Sequence, residues 1–303
     1  MNKIGLLCPT APELVAPGEF AREAEARGFE SLWVGEHPAI PVEIQRSYVQ
    51  LQNGEVPYFY TNVADPWITL SHIAGATTRI GLGTAVCIVP QRHPLLLARE
   101  LATLDRQSGG RVTVGAGAGW LIEEMELFEC RFATRFDRLR EMVEAMRLVW
   151  CENEPEYHGE HVDFPPILSR YHPCQKPIPV LCGIHGQRGM QEAAKWADGW
   201  LPVSSGPEDL AADRAQLARL CEAEGRDPTE MDITIMAGID EDTRPDEITA
   251  LFEAGATRVV LAVGTATTRH TTVERSRTSV HPLAPEQYRE TLEHIADRFL
   301  TTA

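Results

Sequence analysis

The sequence predicts an α/β protein folded as one (β/α)8 TIM barrel. Three observations carry that expectation. Short apolar or β-branched runs alternate with longer amphipathic segments, eight such pairs occur, and their spacing is nearly even with no charge-rich linker between them. An open, doubly wound sheet uses the same units, but even repetition favours closure. The whole chain, 1–303, is within the size of a single barrel domain.

In chain order, strands are expected at 3–8, 31–35, 79–86, 111–116, 178–182, 199–203, 232–236 and 258–263. Each is an apolar run short enough for a buried parallel strand. The helices that follow are expected at 18–27, 65–78, 94–107, 136–151, 188–197, 207–224, 244–254 and 285–300, where apolar residues recur at helical spacing. Insertions after strands two, four and eight (37–63, 153–176 and 264–283) break the rhythm. Loops that leave barrel strands sit on the face where substrates bind, so the first and third are candidate lids or substrate walls. Tyr48, Tyr58, Phe59 and Tyr60 give the first an aromatic character.

The formal charge of −16, without a basic block, argues against nucleic acid and anionic membrane surfaces as partners. Seven scattered cysteines without a C-x-x-C motif suggest neither a disulfide framework nor a zinc knuckle, and fit reduced thiols in the cytoplasm. No run of about 18 apolar residues marks a membrane span, and Pro9 and Pro12 break the first apolar stretch, so no export signal is expected. His158 and His161 are spaced as an H-x-x-H pair without a third ligand, so no metal site is expected. A nucleophile elbow is also missing, and no lysine stands at a strand end to form a Schiff base.

Four places could carry chemistry. Glu36 and His37 in LWVGEHP end strand two, where barrel enzymes place catalytic groups; a histidine with a neighbouring carboxylate suits proton transfer near neutral pH. Gly81 and Gly83 in strand three mark a kink, a bulge, close helix packing or the approach of a flat ligand. Gly115, Gly117 and Gly119 in VTVGAGAGW alternate, unlike a dinucleotide fingerprint, and suit a side-chain-poor floor for a planar ligand. Gly183, Gly186, Gln187 and Arg188 in CGIHGQRG precede a helix whose free N–H groups could bind phosphate, or simply form a turn.

Taken in order, LWVGEH, TRIGLGTAV with RHP, ATLDRQSGGRVTVGAGAGW, and PIPVLCG with AAKWADGWLP resemble the bacterial luciferase-like oxidoreductases, most of all their coenzyme F420 (deazaflavin)-dependent branch. The resemblance spans residues 1–225. It implies a flavin or deazaflavin ring across the ends of strands two to four, backed by a bulge with a non-prolyl cis bond, here Ala85–Val86. His37 would face the ring with Glu36 beside it, Ala118 and Gly119 would line the floor, and Gly183, Ile184, His185 and Gly186 would hold phosphate, with Gln187 and Arg188 adjoining. In the sugar-phosphate dehydrogenase branch a glutamate stands where Trp120 is and a tryptophan near Pro41, so that substrate does not carry over.

The activity implied is hydride transfer between F420 and a small organic substrate, with His37 moving the accompanying proton and Glu36 adjusting it. The glutamyl tail of F420 would need a basic exit groove, for which Arg92, Arg170, Lys176 and Arg188 are the contributors. An FMN-dependent two-component monooxygenase fed by a separate reductase is the alternative within the family, and a non-catalytic flavin-binding barrel the alternative from another class. The resemblance also implies a homodimer through the helices after strands two and three.

Overall fold

The computed structural model describes residues 2–8, 16–44, 56, 58–202, 206–240, 242–263 and 285–300. The expected insertion at 264–283 and part of the one at 37–63 lie outside them. The barrel strands are β1 (Lys3–Leu7), β2 (Ser31–Val34), β3 (Gly81–Thr84) continued by β4 (Cys87–Ile88), and β5 (Val112–Gly117). After a two-stranded hairpin, β6 (Tyr157–His158) and β7 (Asp163–Phe164), come β8 (Val180–Cys182), β9 (Gly199–Trp200), β10 (Asp232–Ile239) and β11 (Arg258–Val263).

Parallel pairing runs β3-β2-β1-β11-β10-β9-β8-β5, and a further pairing of β3 with β5 closes the ring. The closed barrel expected from the alternation is therefore present. Its helices are α1 (Pro17–Arg27), the short α2 (Tyr58–Thr61), α3 (Pro66–Ala76), α4 (Pro94–Ser108), α5 (Ile122–Leu127), α6 (Arg135–Cys151), α7 (Gly186–Trp196), α8 (Pro207–Ala223), α9 (Pro245–Glu253) and α10 (Pro285–Phe299).

Helix boundaries follow local chemistry. Proline opens α1, α3, α4, α8 and α9, where its missing N–H has no intrahelical acceptor to lose. Asp65 caps α3 by accepting the N–H groups of Trp67 and Ile68 at 2.9 and 3.0 Å. α1 and α4 end at Gly28 and Gly109, both in the left-handed conformation that ends a helix cheaply only with glycine.

Two departures from the expected elements matter for function. The run 79–86 is not one strand. Gly83 pairs with Thr113 and Cys87 with Ala116, so four steps on β3–β4 oppose three on β5, and the extra residue falls at the cis Ala85–Val86 bond. Between 116 and 136, where no helix is expected from the sequence, the chain forms α5 over the barrel mouth. The segment 153–176 forms the β6–β7 hairpin and then docks at the amino end of the barrel, where the buried Asp105 carboxylate accepts the N–H groups of Cys174 and Gln175 at 2.7 and 2.9 Å.

Inside the ring, Trp33, Leu181, Leu201 and Val260 form a closed plug, and the half-buried Leu7, Ala85, Val86 and Met236 pack on it. Gly83 lacks a side chain because Trp33 fills its space: a Cβ there would lie 2.3 Å from the indole. Gly83→Ala should therefore overpack the plug at a cost of about 1–3 kcal/mol. Urea titration is expected to show a lower midpoint with unchanged slope.

Candidate active site

The carboxyl ends of the strands bring together part of what the sequence singles out. β2 runs directly into Gly35, Glu36 and His37, and the N–H of Ala85 donates to Val34 O at 2.7 Å, which ties the end of β2 to the bulge. The Glu36 carboxylate is buried. It accepts the Ile88 N–H at 2.7 Å, just past the cis bond, and is gripped by Arg92 through Nε at 3.1 Å and through Nη2. Arg92 reaches Asp65 at 3.2 Å and Glu100 at 3.8 Å as well. Glu36 is thus a strut for the bulge, which corrects the expectation that it tunes His37.

The carboxylate on His37 is that of Glu124, from α5. His37 Nδ1 lies 2.9 Å from Glu124 Oε2, and the Ala39 N–H points at the other oxygen at 3.4 Å. Side-chain exposure is 9% for His37 and 1% for Glu124, so the pair is largely withdrawn from water. Two aromatic rings meet the imidazole edge-on, Tyr60 at 5.0 Å and Trp120 at 5.5 Å between centroids. They also touch each other at 5.5 Å. Burial raises the Tyr60 hydroxyl above its ordinary range, so this phenol stays protonated at neutral pH. Of the aromatic residues expected as a wall, Tyr60 is in place, whereas Tyr48 and the side chains of Tyr58 and Phe59 lie outside the described part.

The glycine clusters need correction. Bare backbone is not what most of them offer. A Cβ on Gly115 would strike Thr84 O at 2.0 Å and Leu201 at 2.6 Å, and one on Gly81 would press on Ser31. Gly117 and Gly183 make room for Val86, whose methyl carbons would lie 2.5 and 2.4 Å from added Cβ atoms. Ala118 is sealed in the main core, and Gly119 turns the chain with φ +82 against Met125. The floor of the mouth is formed instead by the half-buried Leu7, Ala85, Val86 and Met236.

On the far side of the mouth, α7 begins two residues earlier than the sequence suggests, at Gly186 after His185. The first of the Gly186, Gln187, Arg188 and Gly189 N–H groups to find an intrahelical acceptor is that of Gly189, which donates to His185 O. The three before it are the free first-turn donors of the helix. Ile184 is buried and its carbonyl accepts the Trp200 indole N–H at 2.9 Å, whereas His185, Gly186, Gln187 and Arg188 are exposed.

Arg188 pairs with Glu192 at 2.9 Å and lies 5.2 Å from the centre of the Phe136 ring; Arg135 lies 4.0 Å from the same ring. Burial and the charge of Arg188 hold the Arg135 guanidinium below its ordinary range. Two guanidiniums beside free helix donors suit a phosphoryl group. Arg135 escaped sequence reasoning, because its nearness to Arg188 exists in space alone. Three of the four residues expected to form a basic exit groove do not: Arg92 is engaged by carboxylates, and Arg170 and Lys176 belong to the segment docked at the opposite end.

A closed parallel barrel with a strand-three bulge, a buried histidine–carboxylate pair and a cationic helix terminus at its mouth is the geometry to be matched with known proteins. The chain belongs to the luciferase-like monooxygenase family, whose model matches residues 4–300. It is 35% identical to an uncharacterised protein of Mycobacterium tuberculosis over 86% of this chain and 91% of that one. It is 28% identical to the F420-dependent glucose-6-phosphate dehydrogenase of Kineococcus radiotolerans over 77% and 67%. Among solved structures, the coenzyme F420-dependent tetrahydromethanopterin reductase of Methanopyrus kandleri superposes with a TM-score of 0.72 at 20% identity, covering 99% of this chain and 98% of that one. A monooxygenase of Streptomyces bottropensis superposes equally well, with a TM-score of 0.72 at 21% identity and 99% coverage of both. Among the described residues, no helix is long and apolar enough to cross a membrane.

The strut makes a direct prediction. Arg92→Met leaves the Glu36 carboxylate buried without its cation, and should destabilise the fold by about 3 kcal/mol. Thermal unfolding at neutral pH reads this as a lowered midpoint.

Proposed function

We propose that this protein is an oxidoreductase that moves a hydride between coenzyme F420 and a small organic substrate, with His37 as the proton-transfer residue. The observation that carries the reading is the placement of His37, two residues past Gly35 on the strand that is tied to the cis Ala85–Val86 bulge, at the mouth of the barrel. The residues present fit such a cofactor. The half-buried apolar floor of Leu7, Ala85, Val86 and Met236 suits a flat ring system, and the free donors of α7 with Arg135 and Arg188 suit its phosphate. When bound, a deazaflavin supplies a two-electron hydride acceptor or donor.

The chain's own work is positioning and proton handling. The bulge and its strut fix the floor, α7 and its arginines orient the anionic end, and His37 accepts or returns the one proton that accompanies the hydride. Glu36, expected at the sequence level as a catalytic partner, enters the reading only through the floor it braces. The relative named as F420-dependent supports the cofactor, and the family description, a monooxygenase, supports an FMN-dependent monooxygenase only as the alternative reaction class. The reading extends to a homodimer through α3 and α4, on which Ile68 and Leu96 are 75% and 65% exposed.

Titration of the purified protein with F420 and with FMN, followed by visible absorbance, separates the two cofactors. F420 is expected to bind more tightly, and tighter FMN binding would overturn the assignment. With F420 and an accepted substrate, His37→Ala should lose about 10²–10⁴-fold in kcat, the contribution ordinary for a general acid–base group. Light scattering should give twice the 33.6 kDa chain mass.

A further inference from the structure

The carboxylate beneath His37 was not foreseen in the sequence and has no assigned role. Glu124 comes from α5, and its side chain is 1% exposed. Burying a carboxylate is costly, and it persists where it is hydrogen-bonded or charge-paired. Among the described residues, Glu124 meets the His37 imidazole at 2.9 Å and the Ala39 N–H at 3.4 Å. Nothing about packing demands an acid here, since the neighbouring Met125 fills the adjoining apolar cluster with Ile88 and Cys130.

An ionised carboxylate accepts hydrogen bonds and donates none. The nitrogen facing it, Nδ1, must therefore carry the proton, and in the neutral ring Nε2 is then bare. Tyr60 and Trp120 meet the imidazole edge-on at 5.0 and 5.5 Å, which hinders a ring flip that would put Cδ2 in place of Nδ1 against Glu124. We propose that Glu124 is a positioning residue that locks His37 in the Nδ1–H tautomer, leaving Nε2 as the atom that takes up and returns the substrate proton. The proposal rests on the hydride-transfer reading for its catalytic consequence, and on the His37–Glu124 geometry alone for the tautomer.

The step balances without a further reactant. In the oxidative direction the substrate O–H or N–H bond would break with its proton bonding to Nε2, the adjacent C–H bond would give up its hydride to bound F420, and the heteroatom's electron pair would form a C=O or C=N bond. In the reductive direction the hydride would come to that carbon from reduced F420 while the imidazolium N–H breaks and its proton goes to the substrate heteroatom. Glu124 faces the imidazolium that forms, as carboxylates behind catalytic histidines do.

Glu124→Gln tests this with little change of shape. The Ala39 N–H favours the amide oxygen on its side, which turns the amide NH2 toward His37 and makes Nδ1 an acceptor. Nitrogen-15 NMR of histidine-labelled protein, with the His37 signals assigned by their loss in His37→Ala, reads the tautomer without cofactor or substrate. The expected result is an Nδ1–H signature in the wild type, Nε2–H in Glu124→Gln, and a fall in kcat on the order of 10³-fold with KM nearly constant. An Nε2–H wild type, or a Glu124→Gln variant with the wild-type signature or undiminished kcat, overturns the proposal. Failure of the cofactor reading shows separately, as a wild-type protein that keeps the Nδ1–H signature but does not turn over with F420.

Discussion

Much of the barrel mouth depends on one buried contact, the Glu36 carboxylate held between the Ile88 N–H and Arg92. The register of β3–β4 against β5 carries an extra residue, and such a bulge must be fastened on both sides to hold one geometry. The Ala85 N–H to Val34 O bond fastens it before the cis bond, and Glu36 fastens it after. Because His37 is the next residue, the same anchor that shapes the floor also fixes where the imidazole can stand. Arg92 then links this anchor to α3 and α4 through Asp65 and Glu100.

Val86 extends the constraint around the ring. Its branched side chain occupies the spaces left by Gly117 and Gly183, so strands β3–β4, β5 and the turn after β8 meet on one residue. Gly117, which reads as open floor, and Gly183, which reads as a phosphate site or a turn, are receptacles for a neighbour. Ala85 and Val86 are half-buried at this rim, while Gly117 is buried beneath Val86.

The fold was legible because burial in a parallel barrel imposes a periodic pattern, and 31–34, 112–117 and 258–263 read as apolar runs whatever lies beside them. His37 was legible from its place at a strand end. Its partner was not: Glu124 stands 87 positions away on a six-residue helix too short to leave a period. Gly81 and Gly83 leave packing and ligand approach both open for a related reason, since a missing side chain in a sequence does not say whether a ligand or a neighbouring indole takes its place. Arg135 and Arg188 likewise acquire meaning only once Phe136 is seen next to both.

At the other end of the barrel, Arg258 is held by Glu30, Asp232 and Thr234 below the Trp33 ring. With Trp33, Leu181, Leu201 and Val260 filling the interior above it, the axis is stoppered among the described residues. A molecule that enters from the carboxyl ends of the strands therefore stops on this hydrophobic lid and leaves by the way it came, because the described interior beneath it is filled by side chains.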